Sequence, residues 1–208
     1  MILCLTKTTR PRLNNKAFSL VELMMGVAFS LLLLAGVYGF YNVSSQSYSS
    51  GISGQHLQDA ANIVLSKIIS GAQETDGNTY RLASAVSYFI PNNNPNILYY
   101  CQASPCTAAE PTARWYTLDP TNTKVLYYHP TSNPLGYDIV YTAPEGSSFF
   151  NEQTNSKTLR FSPAAVTVPA NVVEIDVALN KILAANITNK KLAVSGAAST
   201  FVLLRNHT

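Results

Sequence analysis

Polar and apolar positions divide the chain into three stretches. Residues 1–17 carry Lys7, Arg10, Arg12 and Lys16 and no acidic residue. Residues 18–41, FSLVELMMGVAFSLLLLAGVYGFY, hold a single charge, Glu22, in 24 positions. At about 1.5 Å per residue they make a helix of about 36 Å, enough to cross a hydrocarbon core of about 30 Å. Residues 44–72 are mixed, but Leu57, Ala61, Val64, Ile68 and Ala72 recur at helical steps, and Ile52, Leu65 and Ile69 widen that stripe. No proline lies between Pro11 and Pro91. One long helix is therefore expected over residues 18–72, apolar all round in its first half and one-sided in its second. Gly36, Gly39, Gly51 and Gly54 are its weak points, each costing about 1 kcal/mol relative to Ala. Local unwinding at either glycine pair and a continuous, slightly curved helix are both compatible with this pattern. Gly26 and Ser30 form a small-xxx-small pair that permits close helix packing.

After the polar turn Gly71–Asn78 the period changes. Short β-rich runs alternate with Pro, Asn, Thr and Ser turns. Strands are expected at Ala83–Ile90, Ile97–Gln102, Arg114–Leu118, Val125–Tyr128, Asp138–Tyr141, Thr158–Ser162, Val172–Leu179 and Phe201–Arg205. A helix followed by mostly antiparallel strands is an α+β arrangement. Residues 73–208 are long enough to bury a core of their own. Two of the runs look alike, Leu98-Tyr99-Tyr100-Cys101 and Leu126-Tyr127-Tyr128-His129, and the chain has 12 tyrosines. Tyrosine suits interfaces, but strand residues packing a sheet account for the pairs more simply.

Composition sharpens this division. The chain of 208 residues is 47% hydrophobic and 12% charged, which excludes disorder driven by charge. Its formal charge is +3. That excess sits wholly in residues 1–17; from residue 18 onward ten basic residues face eleven acidic ones. No basic stripe remains that would suit nucleic acid. The basic tract keeps the N-terminus cytoplasmic and sends the C-terminal side across the membrane. The apolar run is longer than a signal-peptide core, and nothing after Tyr41 reads as a clean A-x-A cleavage site. Neither a signal peptide nor a plain anchor explains Glu22. An unpaired carboxylate inside an apolar span is costly, which makes it a functional candidate.

At Lys16-Ala17-Phe18-Ser19-Leu20-Val21-Glu22-Leu23 the chain resembles the N-terminus of type IV prepilins, shared by pilins and the pseudopilins of type II secretion. The resemblance covers residues 10–45; beyond them it is one of architecture. It implies a cleaved leader at 1–17, a cut between Ala17 and Phe18, and methylation of Phe18 by the prepilin peptidase. Ala17 stands where the family usually has Gly, and Gly39 stands near the place of a helix-disrupting proline of major pilins. It also implies that Glu22 pairs with the Phe18 amine of a neighbouring subunit during filament assembly. The partners so implied are other pilin or pseudopilin subunits, the peptidase, the inner-membrane assembly machinery and the inner membrane itself. The expected fold is the pilin-like helix on a β-rich head, with the head periplasmic or extracellular.

In an oxidising periplasm Cys101 and Cys106 are expected to form a disulfide; two free thiols are the alternative. Cys4 leaves with the leader. His56, His129 and His207 are scattered, no CxxC or HExxH pair occurs, and no metal or cofactor is expected. Glu174 and Asp176 alternate with Val173, Ile175 and Val177, as on a strand with one polar face. The acidic residues are spread out, which gives calcium no support. No nucleophile or phosphate-loop motif occurs, and no catalytic activity is expected. The ending Leu204-Arg205-Asn206 is similar to that of W-type minor pilins and J-type pseudopilins. The favoured reading is a structural minor pilin that primes assembly or sits at the tip. The alternatives are a type II secretion pseudopilin, a membrane-anchored periplasmic enzyme, and a tip adhesin.

Overall fold

The computed structural model describes residues 19–205 except 75, 103, 131–135, 153, 164–170 and 185–190. Ala17, Phe18 and His207 lie outside the described residues. The chain divides into two compact units, Met1–Ser47 and Tyr48–Thr208. One helix, α1 (Leu20–Ser70), runs through the boundary without a break, so neither glycine pair unwinds it. The architecture is α+β, one long helix with antiparallel sheets.

In the first unit, α1 buries nothing. Every large apolar side chain from Leu20 to Val43 is more than half exposed. A helix apolar on all sides cannot rest in water and needs lipid or other helices around it. Among the described residues, α1 is the one helix long and apolar enough to cross a membrane.

In the second unit, α1 becomes one-sided. Leu57, Ala60, Ala61, Val64, Leu65 and Ile68 are buried, the stripe expected from their spacing. Ile69 and Ala72 pack against it in part. The helix ends at Gly71, whose N–H bonds the Lys67 carbonyl at 3.2 Å. Gly71 has φ +78°, and a Cβ there would lie 2.2 Å from the Tyr80 carbonyl oxygen, so only glycine fits this left-handed cap.

Beyond the cap come β1 (Ala72–Gln73) and β2 (Thr79–Tyr80), a small antiparallel pair. Then follow β3 (Ser87–Phe89), β4 (Ile97–Cys101), β5 (Arg114–Leu118), β6 (Val125–His129) and β7 (Asp138–Thr142). These five form one antiparallel meander, each strand beside its neighbour in sequence. The short strands β8 (Ser147–Ser148), β9 (Phe150–Asn151) and β10 (Ser156–Lys157) lead into the second sheet. That sheet is built from β11 (Leu159–Pro163), β12 (Val172–Ala184) and β13 (Lys191–Leu203). There β12 pairs with β13 along its whole length, and with β11 and β8 on its other side.

Two expectations need correction. The strand expected over Ala83–Ile90 begins as a 3-10 turn, Leu82–Ser84, and only Ser87–Phe89 is strand. The strand expected at Phe201–Arg205 is instead Lys191–Leu203, 13 residues long. Both tyrosine pairs lie in strands. Tyr100 and Tyr128 are fully buried, whereas Tyr99 and Tyr127 face the other way, as a two-residue period requires. One core joins α1, Leu98, Tyr100, Tyr116, Leu126 and Tyr128 of the meander, and Phe161, Val173, Ile175, Val177 and Leu179 of the second sheet.

Candidate functional site

The start of α1 is built around Ser19 and Glu22. The Ser19 hydroxyl accepts the Val21 N–H at 3.3 Å, and the Ser19 carbonyl accepts the Leu23 N–H at 3.2 Å. Glu22 reaches back so that its Oε2 accepts the Ser19 N–H at 3.1 Å. This is a capping box, which satisfies donors that the first helical turn leaves open. Ser-Leu-Val-Glu ahead of an apolar run is its signature, and the sequence reading passed over Ser19 although the signal was there. A carboxylate in the first turn also meets the positive end of the helix dipole. Among the described residues, Glu22 Oε1 has no protein partner, and the side chain is exposed. One oxygen thus serves the chain's own helix, and the other takes no partner among the described residues. Further along the same helix, the Ser30 hydroxyl donates to the Gly26 carbonyl at 2.8 Å.

The remaining sequence candidates are in the second unit. Cys101 and Cys106 form a disulfide with Cα atoms 5.4 Å apart. With Ala113 they make a small buried cluster against Tyr99. His56 is exposed on α1. His129 is buried, and its ring stacks on Trp115 at 4.4 Å between centroids. Burial lowers its pKa, which favours the neutral ring. It closes a row of register partners, Phe89, Tyr99, Trp115 and His129, across four strands. Among the described residues no three His, Cys, Asp or Glu side chains gather to hold a metal ion. Glu174 and Asp176 lie on the half-exposed face of β12, with Ser162 donating to Glu174 at 3.2 Å.

The sequence reading missed a polar junction behind the helix. Arg114 Nε and Nη2 donate to the two Glu74 oxygens at 2.5 and 3.1 Å, with both side chains more than nine-tenths buried. Tyr128 Oη donates to the same Glu74 at 2.6 Å, and the guanidinium lies 3.4 Å from the Tyr80 ring centroid. Tyr80 in turn donates to Asp76 at 2.7 Å. Burial pushes the Tyr100, Tyr116 and Tyr128 hydroxyls up, so they remain donors. Tyr116 bonds the Ile68 carbonyl at 3.4 Å, near the end of α1. Glu74 and Arg114 are 40 residues apart, and no local pattern announces them.

Comparison with family models, curated proteins and solved structures finds no match to this chain.

Proposed function

We propose that this chain is a prepilin whose mature form is a structural subunit of a type IV pilus, with no catalytic role of its own. The leader, residues 1–17, holds the N-terminus in the cytoplasm. Prepilin peptidase cuts between Ala17 and Phe18 and methylates the new amine. The apolar half of α1 then rests in the inner membrane until the assembly machinery draws it into a filament, and the head lies on the periplasmic and later the outer side. A minor subunit that primes assembly or caps the tip is favoured by the large head.

The observation that carries this reading is Glu22. It is the single charge in 24 residues of apolar helix, and it follows the cut that the resemblance implies by five positions. One carboxylate oxygen is spent on the Ser19 N–H, and the other is free for a cation from outside the chain. A freshly exposed α-amine on a neighbouring Phe18 is such a cation. In a bundle of packed helices both charges need the pair, because leaving either alone in a dry core costs about 3–5 kcal/mol.

Mass spectrometry of the N-terminus tests the proposal. Cells with the peptidase should yield N-methyl-Phe18, and cells lacking it should yield the intact leader. A retained leader in both, or a cut beyond Tyr41, overturns it. Recovery of the mature chain in sheared surface filaments assigns it to a pilus; recovery only with a secretion machine assigns it to a pseudopilus.

A further inference from the structure

A second site lies in the head. Residues 146–152 wall a cavity of about 360 Å³ whose floor is the face of β12 and β13 turned away from α1. That is room for a small ligand, well beyond one or two waters. Ser148, Phe150, Glu152, Asn180, Lys181 and Ser195 contribute to its lining.

Several of these polar groups are unspent. Among the described residues the Glu152 carboxylate and the Lys181 ammonium have no side-chain partner, and they do not pair with each other. The Asn180 amide nitrogen is sheltered from solvent and bonds nothing. A buried donor without an acceptor calls for an explanation. The last torsion of Asn is broad, so the amide can turn to meet a ligand. Ser195 adds an exposed hydroxyl on the edge strand, and Phe150 adds a half-buried ring.

The charges cancel, which disfavours a ligand of single charge. An anion gains from Lys181 but meets Glu152, and a cation meets the reverse. A hydrocarbon leaves the carboxylate, the ammonium and the amide unpaired, at the cost of their hydration. A neutral polyhydroxylated ring meets every requirement. Each hydroxyl both donates and accepts, so the same ligand serves carboxylate, ammonium and amide. Its C–H face can lie on Phe150.

We infer that this cavity binds a neutral saccharide. The inference stands apart from the assembly role of Glu22, since it rests on the head alone. The test uses the full chain in a phosphocholine detergent, which carries no sugar headgroup. Saturation-transfer NMR is run against the methyl glycosides of glucose, galactose, mannose and N-acetylglucosamine. At least one should receive saturation from the wild-type protein. Asn180→Ala should weaken that binding about tenfold, the equivalent of one hydrogen bond of about 1.4 kcal/mol. Ser195→Trp, at an exposed edge position, should fill the cavity and abolish transfer with the circular dichroism unchanged. No transfer from the wild type to any of the four sugars overturns the inference, as does transfer that a folded Ser195→Trp protein retains.

Discussion

Gly196 of β13 lies directly against Leu57 of α1. A Cβ on Gly196 would fall 2.3 Å from the Leu57 carbonyl carbon and 2.2 Å from the Gln58 nitrogen. Helix and strand therefore meet backbone to backbone, and the Gln58 side chain accepts the Ala197 N–H at 3.1 Å across the contact. The clash is with main chain, which cannot rotate aside. Gly196→Ala should destabilise the head by about 3 kcal/mol, at the upper end of overpacking costs. Gly51, with nothing within 4 Å of its would-be Cβ, provides the contrast. There the Ala variant should stabilise by roughly 0.5–1 kcal/mol through helix propensity. Urea unfolding followed by the fluorescence of Trp115, the only tryptophan, measures both. Equal stability of Gly196→Ala and wild type would remove the close-contact argument.

The Glu74–Arg114 pair should behave as a buried bond. Arg114→Met leaves the Glu74 carboxylate among tyrosines with only Tyr128 to satisfy it, and should cost about 3 kcal/mol. Adding Glu74→Leu removes the stranded charge, so the double variant should recover much of that loss. A double variant no more stable than Arg114→Met would show that packing, not the charge, sets the cost.

Much of this architecture is legible in the sequence because it is periodic. The stripe Leu57, Ala61, Val64 and Ile68 reads directly, and so do β4 to β7 as short β-rich runs between turns, with β5 alternating buried and half-buried residues throughout. The first part of β13 does not read as strand. Ala193, Ser195, Gly196, Ala197, Ala198 and Ser199 are small residues of low strand propensity. Gly196 is small where the α1 backbone lies close, so there a tertiary contact overrides local preference, while Ala193, Ser195, Ala197 and Ser199 lie on the exposed face. The Glu74–Arg114 pair and the cavity walled by residues 146–152 join segments far apart in sequence, and neither follows any period. Glu22 stands out in the sequence because its surroundings lack charge, and its bond to Ser19 is announced by the Ser-Leu-Val-Glu spacing of a capping box.

Asp119 gives the head a pH signature. Its carboxylate accepts the Asn122 N–H at 2.9 Å, the Thr121 hydroxyl and N–H at 2.8 Å each, and the Tyr127 hydroxyl at 2.9 Å. These donors, the Asn122 N–H foremost, hold its pKa down to about 2, against an ordinary value of 3.8. A depressed carboxyl stabilises the fold fully above its ordinary range, and that contribution fades as pH falls toward the folded value. Asp119→Asn should therefore flatten the dependence of stability on pH between these two values. Above that window the variant should show no pH dependence that the wild type lacks. An unchanged acid slope would place the carboxylate's role elsewhere.

Glu22 has two separable roles, and two substitutions divide them. Glutamine at this position of a capping box still accepts the Ser19 N–H, so Glu22→Gln keeps the helix start but removes the charge. Glu22→Ala removes both. If the second oxygen pairs with a neighbour's amine, both variants should reach the membrane and both should enter filaments poorly. If capping alone matters, Glu22→Gln should assemble like the wild type while Glu22→Ala does not. Capping is worth only about 1 kcal/mol, whereas a broken charge pair in a dry helix bundle costs about 3–5 kcal/mol. Because the broken pair costs more than the lost cap, glutamine should not rescue assembly. Quantifying each variant in membranes and in sheared filaments decides between them, and wild-type levels of Glu22→Gln in filaments would end the pairing role.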